Sequence, residues 1–335
     1  MKDRVIQVLF LVIGLTLLYL AFRGQDFNSI YREILQADMS WFFVVFLVTC
    51  FGNLVRTFRW MLLIYPLNYK PKLGNTFLAL MVGYFVNFAV PRLGEISRCY
   101  ALRRSDGVPF NLSLGTVVAE RLVDIFSLIM ITVSALYFQY DLLYGFFEKY
   151  ILTYFYNSLI SKTTAFALLA FLFLCSLLIF YFFRKKILSN QFIHKIYLFL
   201  LDLVKGVISI FRMKNGWLFF LCTIIIWTCY FLSTYLWFKG FESTKHLGFT
   251  AGFALLVIGT VGRSVPVQGQ GLGAYHFLVV KGLLLFGIAE VSGNALAMII
   301  YLTQTCFYLV VGGICTLIFS LMYGKLKTTS EITSH

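Results

Sequence analysis

The chain consists of long apolar segments that are interrupted at two points by short polar stretches. These breaks lie at residues 90–95 and 265–273, and both contain the pattern V-P-x-x-G. Proline removes a backbone donor and glycine loosens a helix, so a regular helix is interrupted at both points. At membrane depth, interrupted backbone is tolerated only where it is buried in protein or lines a water-filled cavity. Paired breaks of this kind in the two halves of a membrane protein point to a central binding site.

The composition excludes a soluble protein. The chain is 60% hydrophobic and 13% charged, with a mean hydropathy of +0.85, whereas soluble domains carry about 25% charged residues. The net charge of +14 comes mostly from Lys and Arg beside apolar segments, as expected of cytoplasmic loops, so nucleic-acid binding is not predicted. We expect a single integral membrane domain over residues 1–335, with approximate halves 1–162 and 163–322 and a cytoplasmic tail at 323–335.

No metal site or cofactor is expected from the sequence. The seven Cys lie mostly inside apolar segments and form no C-x-x-C pair, and the four His are dispersed. The apolar run that ends at Phe22 lacks a small-residue cleavage pattern, so it is interpreted as a retained first membrane span.

Nine apolar segments are predicted to form helices. They lie at residues 5–22, 41–65, 76–90, 113–138, 163–183, 217–238, 250–265, 273–289 and 291–322. A helix needs about 20 residues to cross the hydrocarbon core. The segments 76–90, 250–265 and 273–289 are shorter than that.

The basic residues decide between two topologies. If every segment crossed the membrane, the stretch 184–216, with seven basic residues and one acidic residue, would lie outside, against the positive-inside rule. If 76–104 enters from the cytoplasm and returns, and 250–289 does so from outside, this stretch becomes a cytoplasmic amphipathic connector. We therefore predict an all-α polytopic protein of the cell membrane with cytoplasmic N- and C-termini. It has about six full transmembrane helices and two opposed re-entrant helical hairpins, forming an inverted repeat whose tips meet near the midplane.

Nine charged residues lie within or beside these segments, and they form the candidate site. They are Arg56, Arg59, Arg92, Glu95, Arg98, Glu120, Arg121, Asp124 and Arg263. Each would cost about 2.5–3.5 kcal/mol at the bilayer centre, so they are expected to face one another, water or the cytoplasmic interface. Two alternatives stay open. Some of them, namely Arg56, Arg59, Arg98 and Glu120, reach the inner surface, or Arg121 and Asp124 form only a local ion pair.

The sign of this cluster favours an anionic ligand. Six arginines stand against three carboxylates, and the planar guanidinium fork suits phosphate. Arg92 is expected to contact the phosphate, with Glu95 holding either Arg92 or Arg98 in place. The predicted substrate-binding residues are Arg92, Glu95, Arg98, Glu120, Arg121, Asp124, Arg263, Gln268 and Gln270, with Arg56, Arg59 and His276 in secondary positions.

Several stretches of the chain resemble one membrane-protein family. The strings N-F-A-V-P-R-L-G-E-I-S-R-C-Y-A-L at 87–102 and S-L-G-T-V-V-A-E-R-L-V-D at 113–124 are similar to the lysylphosphatidylglycerol synthase transmembrane-region family, also described as flippase-like. Arg56, Arg59-Trp60 and the string P-V-Q-G-Q-G-L-G-A-Y-H at 266–276 extend the resemblance, although Gln268 stands where the family often has proline. The resemblance implies a stand-alone lipid-translocating member without the synthetase domain.

The sequence thus predicts a flippase-like protein that translocates or binds an anionic or modified lipid, either a phospholipid or a polyprenyl-phosphate-linked lipid, and that has no catalytic residue. Two alternatives remain. One is a membrane-embedded enzyme acting on a lipid-linked substrate, with Glu95, Glu120 or Asp124 as base. The other is an accessory subunit of a separate synthetase or glycosyltransferase.

Overall fold

The computed structural model describes residues 27–90, 93–138, 191–264 and 271–323, and the regular secondary structure in these residues is helical. Ten α-helices lie in them: α1 (Phe27–Gln36), α2 (Ser40–Ile64), α3 (Leu73–Ala89), α4 (Leu93–Asp106), α5 (Phe110–Phe138), α6 (Gln191–Ile208), α7 (Gly216–Gly240), α8 (Phe249–Ser264), α9 (Ala274–Leu285) and α10 (Glu290–Tyr323).

The predicted apolar segments that fall in the described residues all form helices. The boundary that differs most is the end of α9, at Leu285 rather than at 289. There Gly287 adopts φ = +76°, and the Ile288 N–H donates back to the Leu283 carbonyl, which is a glycine-dependent helix ending. The predicted segments 5–22 and 163–183 lie outside the described residues.

The helices differ in whether they are long enough to cross a bilayer. In the described part of the chain, three helical stretches are sufficiently long and apolar, namely residues 40–67, 216–240 and 290–323. The helix α5 has 29 residues but carries three charged residues of the candidate site. In contrast, α9 has 12 residues and extends about 18 Å, well short of the roughly 30 Å hydrocarbon thickness.

The helices α3 and α4 pack against each other as an antiparallel hairpin. Near the break, a Cβ on Gly94 would lie 2.1 Å from the Gly83 carbonyl oxygen, so only glycine permits this approach. The Gly94 N–H donates to Asn87 Oδ1 at 2.7 Å, which fixes the start of α4. At the open end, Asp106 Oδ1 accepts the Lys72 N–H at 3.0 Å.

The helices α8 and α9 form a second hairpin across the second break. Gly271 has φ = +89°, and a Cβ there would lie 2.7 Å from the Gly262 carbonyl oxygen. Position 271 therefore requires glycine both for its backbone conformation and for its close approach to the end of α8.

The long helix α10 relates the two hairpins to each other. Its 34 residues extend about 51 Å. At its C-terminal end, Tyr323 donates to Asn75 Oδ1 at 3.0 Å, beside the open end of the α3–α4 hairpin. At its N-terminal end, Gly293 lies against Leu283, beside the open end of the α8–α9 hairpin. The two hairpins therefore open toward opposite ends of α10.

The connected ends of both hairpins lie beside the middle of α10. Tyr84 of α3 packs on Tyr308 with ring centroids 4.7 Å apart. Tyr275 of α9 packs on Tyr301 at 6.0 Å. The charged residues that flank the two breaks are thereby brought to one level of the molecule.

The remaining helices surround this arrangement. The antiparallel pair α2 and α7 is joined where the Asp38 N–H donates to the Gly240 carbonyl at 2.9 Å. The helix α6, in the predicted connector 184–216, packs along α5. Gly206 of α6 lies close enough to Gly115 that a Cβ would be 2.7 Å from its Cα.

Candidate functional site

A cavity of about 660 Å³ lies where the two hairpins meet beside α10. This volume is within the range of small-molecule sites, about 300–1,000 Å³. Eight helices, α2 to α5 and α7 to α10, contribute to its wall. Its charged and amide side chains are Asn53, Arg56, Asn87, Glu95, Arg121, Asp124, Arg263 and Gln304.

Behind the cavity, Glu120 is the centre of a buried ion network. Its carboxylate is fully buried and accepts hydrogen bonds from three arginines. Arg56 Nε and Arg59 Nη2 donate to Oε1 at 2.8 and 3.1 Å, and Arg98 Nη2 donates to Oε2 at 2.9 Å. The network joins α2 and α4 to α5.

Asp124 extends the same network toward the cavity. Its two oxygens accept from Arg59 Nη2 at 2.7 Å and from Arg56 Nη2 at 2.9 Å. Arg56 Nη1 also donates to the Tyr230 hydroxyl at 2.5 Å, which ties α7 to the network. Two carboxylates therefore neutralise three guanidinium groups only in part, and one positive charge remains in excess.

Arg98 is fixed by stacking as well as by its ion pair. Its guanidinium carbon lies 4.7 Å from the centroid of the Trp60 ring. Trp60 in turn donates Nε1–H to Thr116 Oγ1 at 2.9 Å. The predicted motif at Arg59-Trp60 thus supports the interior of the α2–α4–α5 cluster.

Arg121 and Glu95 form a separate ion pair on the cavity wall. Arg121 Nη2 donates to Glu95 Oε1 at 2.7 Å, and the two side chains are 44% and 25% exposed. Glu95 was expected to hold Arg92 or Arg98. Arg98 pairs with Glu120 rather than with Glu95, and Arg92 lies outside the described residues. The ion-pair partner of Glu95 among the described residues is Arg121, because α5 packs across α4.

Arg263 differs from the other arginines of the cluster. It lines the cavity, its Nη1 donates to Gln304 Oε1, and its guanidinium carbon lies 4.3 Å from the Tyr275 ring centroid. Within the described ranges, no carboxylate pairs with it. Arg263 therefore presents a positive charge to the cavity, and its partners in the described part of the chain are neutral.

The structure separates the predicted site residues into three groups. Those that line the cavity are Arg56, Glu95, Arg121, Asp124 and Arg263. Those that do not line it are Arg59, Arg98, Glu120 and His276, and the His276 ring lies in the interior against Tyr301 at 4.8 Å. Those outside the described residues are Arg92, Gln268 and Gln270.

The sequence left two other arrangements of the charged residues open, a local Arg121–Asp124 ion pair and side chains that reach the inner surface. Arg121 and Asp124 do not pair with each other; each pairs with a residue of another helix. The four residues that were expected to reach the inner surface are all buried and joined to one another by ion pairs.

Sequence reasoning did not single out several residues of the cavity wall. Tyr84, Trp227, Tyr230 and Tyr308 line it, but in an apolar helix their rings are indistinguishable from core aromatics. Gln304 carried a usable signal, since a lone amide inside a long apolar helix needs a polar partner. In the part of the chain that is described, no group of three or more His, Cys, Asp or Glu could hold a metal ion.

Apolar helices around a buried polar cavity define a multi-pass helical membrane protein. The chain belongs to the family described as lysylphosphatidylglycerol synthase TM region, whose profile matches residues 6–312. This confirms the resemblance found in the sequence motifs. A curated relative, the UPF0104 membrane protein MJ1595 of Methanocaldococcus jannaschii, is 28% identical over 108 residues. That match covers 31% of this chain and 32% of the relative, about a third of its length. No solved structure matches the chain.

Proposed function

We propose that the protein translocates a membrane lipid with an anionic headgroup, either a phospholipid or a polyprenyl-phosphate-linked lipid. The observation that carries the proposal is the position of Arg263, which lines the central cavity and whose partners among the described residues, Gln304 and Tyr275, are neutral. A guanidinium group in such a site is stabilised by an anion that brings a second set of acceptors. The membership of a lipid-related membrane family agrees with this function.

A comparison of Arg56 with Arg121 indicates which of the two is available to a ligand. Arg56 uses Nε, Nη1 and Nη2 for protein partners, so it is held in place. Among the described residues, Arg121 has one ion-pair partner, Glu95, and its side chain is partly exposed. We therefore assign the headgroup phosphate to Arg263 and Arg121, with Arg56 contributing charge from behind.

A transport role also accounts for the carboxylates better than catalysis does. Glu95, Glu120 and Asp124 each accept a hydrogen bond from an arginine. A carboxylate engaged in this way is a counter-charge rather than a free proton acceptor. On this proposal none of the three is a catalytic base.

We further propose that α3–α4 and α8–α9 are re-entrant hairpins that enter from opposite sides of the membrane. Their short helices and their open ends beside opposite ends of α10 support this arrangement. The full spans are then α2, α5, α7 and α10 together with the segments 5–22 and 163–183, with both termini cytoplasmic. In a cysteine-free background, a membrane-impermeant maleimide added to intact cells should label Lys245→Cys and leave Lys214→Cys unlabelled. The reverse pattern would overturn this topology.

The function is tested by lipid translocation in proteoliposomes. The panel should contain anionic, zwitterionic and aminoacylated phospholipids and a polyprenyl phosphate. Arg263→Gln should reduce translocation of the preferred lipid at least tenfold, and Arg263→Lys should recover part of it. The matched control is Arg212→Gln, because Arg212 is exposed and does not line the cavity; its rate should stay at the wild-type value.

The same vesicles separate the two alternatives. Chemical conversion of the lipid, followed by chromatography, would favour the membrane-embedded enzyme. Equal movement of every lipid by wild type and Arg263→Gln would show that the cavity is not a substrate path. We would then replace the proposed transport function with that of an accessory subunit whose partner is a separate synthetase or glycosyltransferase.

A further inference from the structure

Among the described helices, two supply the branched aliphatic part of the cavity wall. Among the lining residues, the branched aliphatic side chains are Ile125 and Leu128 of α5 and Leu255 and Leu256 of α8. The other six contributing helices present polar, aromatic, glycine or cysteine residues to the cavity. The cavity therefore has one aliphatic face, which we name the α5–α8 face after these four residues.

The two helices pack directly against each other beside this face. The C-terminal half of α5, at Ile131 and Ala135, packs against Ala254, Val257 and Ile258 of α8. One to three helical turns earlier on α5, Arg121, Asp124, Ile125 and Leu128 line the cavity, as do Gly259, Thr260, Arg263 and Ser264 at the end of α8. The α5–α8 face thus lies next to a direct contact between the two helices.

This face also reaches the outer surface of the molecule. Ile125 lines the cavity and is 56% exposed, and Ser264 lines it from α8 and is exposed as well. Next to them, the side chain of Arg121 is 44% exposed. A path therefore runs from the outside, past aliphatic side chains, to the charged interior at Arg121 and Arg263.

We infer that the lipid enters the cavity sideways between α5 and α8. Its headgroup points to Arg121 and Arg263, and its hydrocarbon chains lie along Ile125 and Leu128 and stay in contact with the bilayer. This inference rests on the proposed function and adds the entrance to it. A soluble phosphate compound would gain nothing from the α5–α8 face, because it has no apolar surface to bury there.

Two adjacent residues of α5 provide a matched test. Ile125 is exposed and lines the cavity, whereas Phe126 is 65% exposed and does not line it. A photoreactive benzoylphenylalanine is placed at either position, and the full-length protein is reconstituted with equal amounts of anionic and zwitterionic phospholipids. At 125, adducts with the anionic lipid should exceed those with the zwitterionic lipid several-fold, and Arg263→Gln should abolish this preference. At 126, both lipids should form adducts equally, with or without Arg263.

Two results would overturn the entrance. One is the same lipid selectivity at 125 and 126. The other is full protection of the 125 probe by glycerol phosphate at millimolar concentration, which would make the cavity a site for a soluble anion. Translocation measured on the same vesicles keeps the two proposals apart. Arg263-dependent transport without selective adducts at 125 rejects the entrance alone, and loss of Arg263 dependence in both assays rejects the proposed function too.

Discussion

Arg98 and Glu120 are joined by a 2.9 Å hydrogen bond from Nη2 to Oε2, the carboxylate oxygen that Arg56 and Arg59 do not contact. Glu120 thereby divides its two oxygens between two helices, α2 and α4, from its own position on α5. Because the group is fully buried, water cannot replace any of these partners. A single carboxylate therefore bridges three helices.

Replacing Glu120 with Gln should destabilise the protein strongly. Removal of one partner from a buried ion pair leaves an uncompensated charge and costs about 3–5 kcal/mol, and here three arginines lose the same carboxylate. Thermal unfolding of the detergent-purified protein measures the loss. The control is Glu242→Gln, since the Glu242 side chain is 87% exposed and pairs within its own turn with Lys245, an arrangement worth at most about 1 kcal/mol. Equal melting temperatures for Glu120→Gln and Glu242→Gln would contradict the network.

The two kinds of ion pair around α4 should give different coupling energies. A double-mutant cycle with Glu95→Gln and Arg121→Gln should yield about 1 kcal/mol or less, because both side chains are partly exposed. The cycle with Arg98→Gln and Glu120→Gln should yield clearly more, since both groups are buried. Similar coupling energies in the two cycles would mean that burial does not separate a cavity-wall pair from a structural pair. Thermal unfolding again serves as the measurement.

Two glycines of α3 should respond oppositely to alanine. A Cβ at Gly83 would lie 2.8 Å from the Gly94 carbonyl oxygen and 3.0 Å from the Arg98 Cβ, whereas nothing lies within 4 Å of one at Gly74. Gly83→Ala should therefore push α4 away and lower the melting temperature. Gly74→Ala should be neutral or slightly stabilising, because alanine favours a helix by up to about 1 kcal/mol over glycine. A stabilising Gly83→Ala would show that the hairpin is looser than described.

The start of α2 should weaken in acid. Hydrogen bonds from the Ser40 hydroxyl and N–H to the Asp38 carboxylate lower the pKa of Asp38 below its ordinary value. A carboxyl group with a lowered pKa in the folded state stabilises that state above its ordinary pKa, and this contribution disappears as the pH falls through the lowered value. The difference in melting temperature between wild type and Asp38→Asn should thus shrink below pH 4. If the difference in melting temperature grew as the pH fell, the pKa of Asp38 would be raised rather than lowered in the folded protein.

Much of the helix order could be predicted from the sequence because the apolar runs are long and their ends carry charge or glycine. The pairing of charges could not. Glu95 and Arg98 are three residues apart on α4, so local spacing favoured their pairing. The partner of Glu95, Arg121, lies 26 residues away, and only the packing of α5 against α4 brings the two together.

The aromatic part of the cavity was hidden for a different reason. No sequence pattern marks Tyr230 as a site residue. Its hydroxyl nevertheless accepts a hydrogen bond from Arg56, 174 residues away in the chain, at 2.5 Å. The sequence shows that a tyrosine lies in an apolar helix, but only tertiary packing determines whether its hydroxyl contacts a charged side chain. The unusual position of Arg263 was predictable only in part, since its neutral neighbours Gln304 and Tyr275 come from two later helices.

The hydrogen bond between Tyr323 and Asn75 spans 248 residues, and this has a consequence for biosynthesis. The ribosome completes α3 and α4 long before it makes the end of α10 against which α3 docks. During that interval the charges of the first half need partners of their own. Arg56, Arg59, Arg98, Glu120 and Asp124 all lie within the first 124 residues, so this group can neutralise most of its charge as soon as α5 is inserted. The ion pairs of this cluster can therefore form before α10, which completes the cavity, has been synthesised.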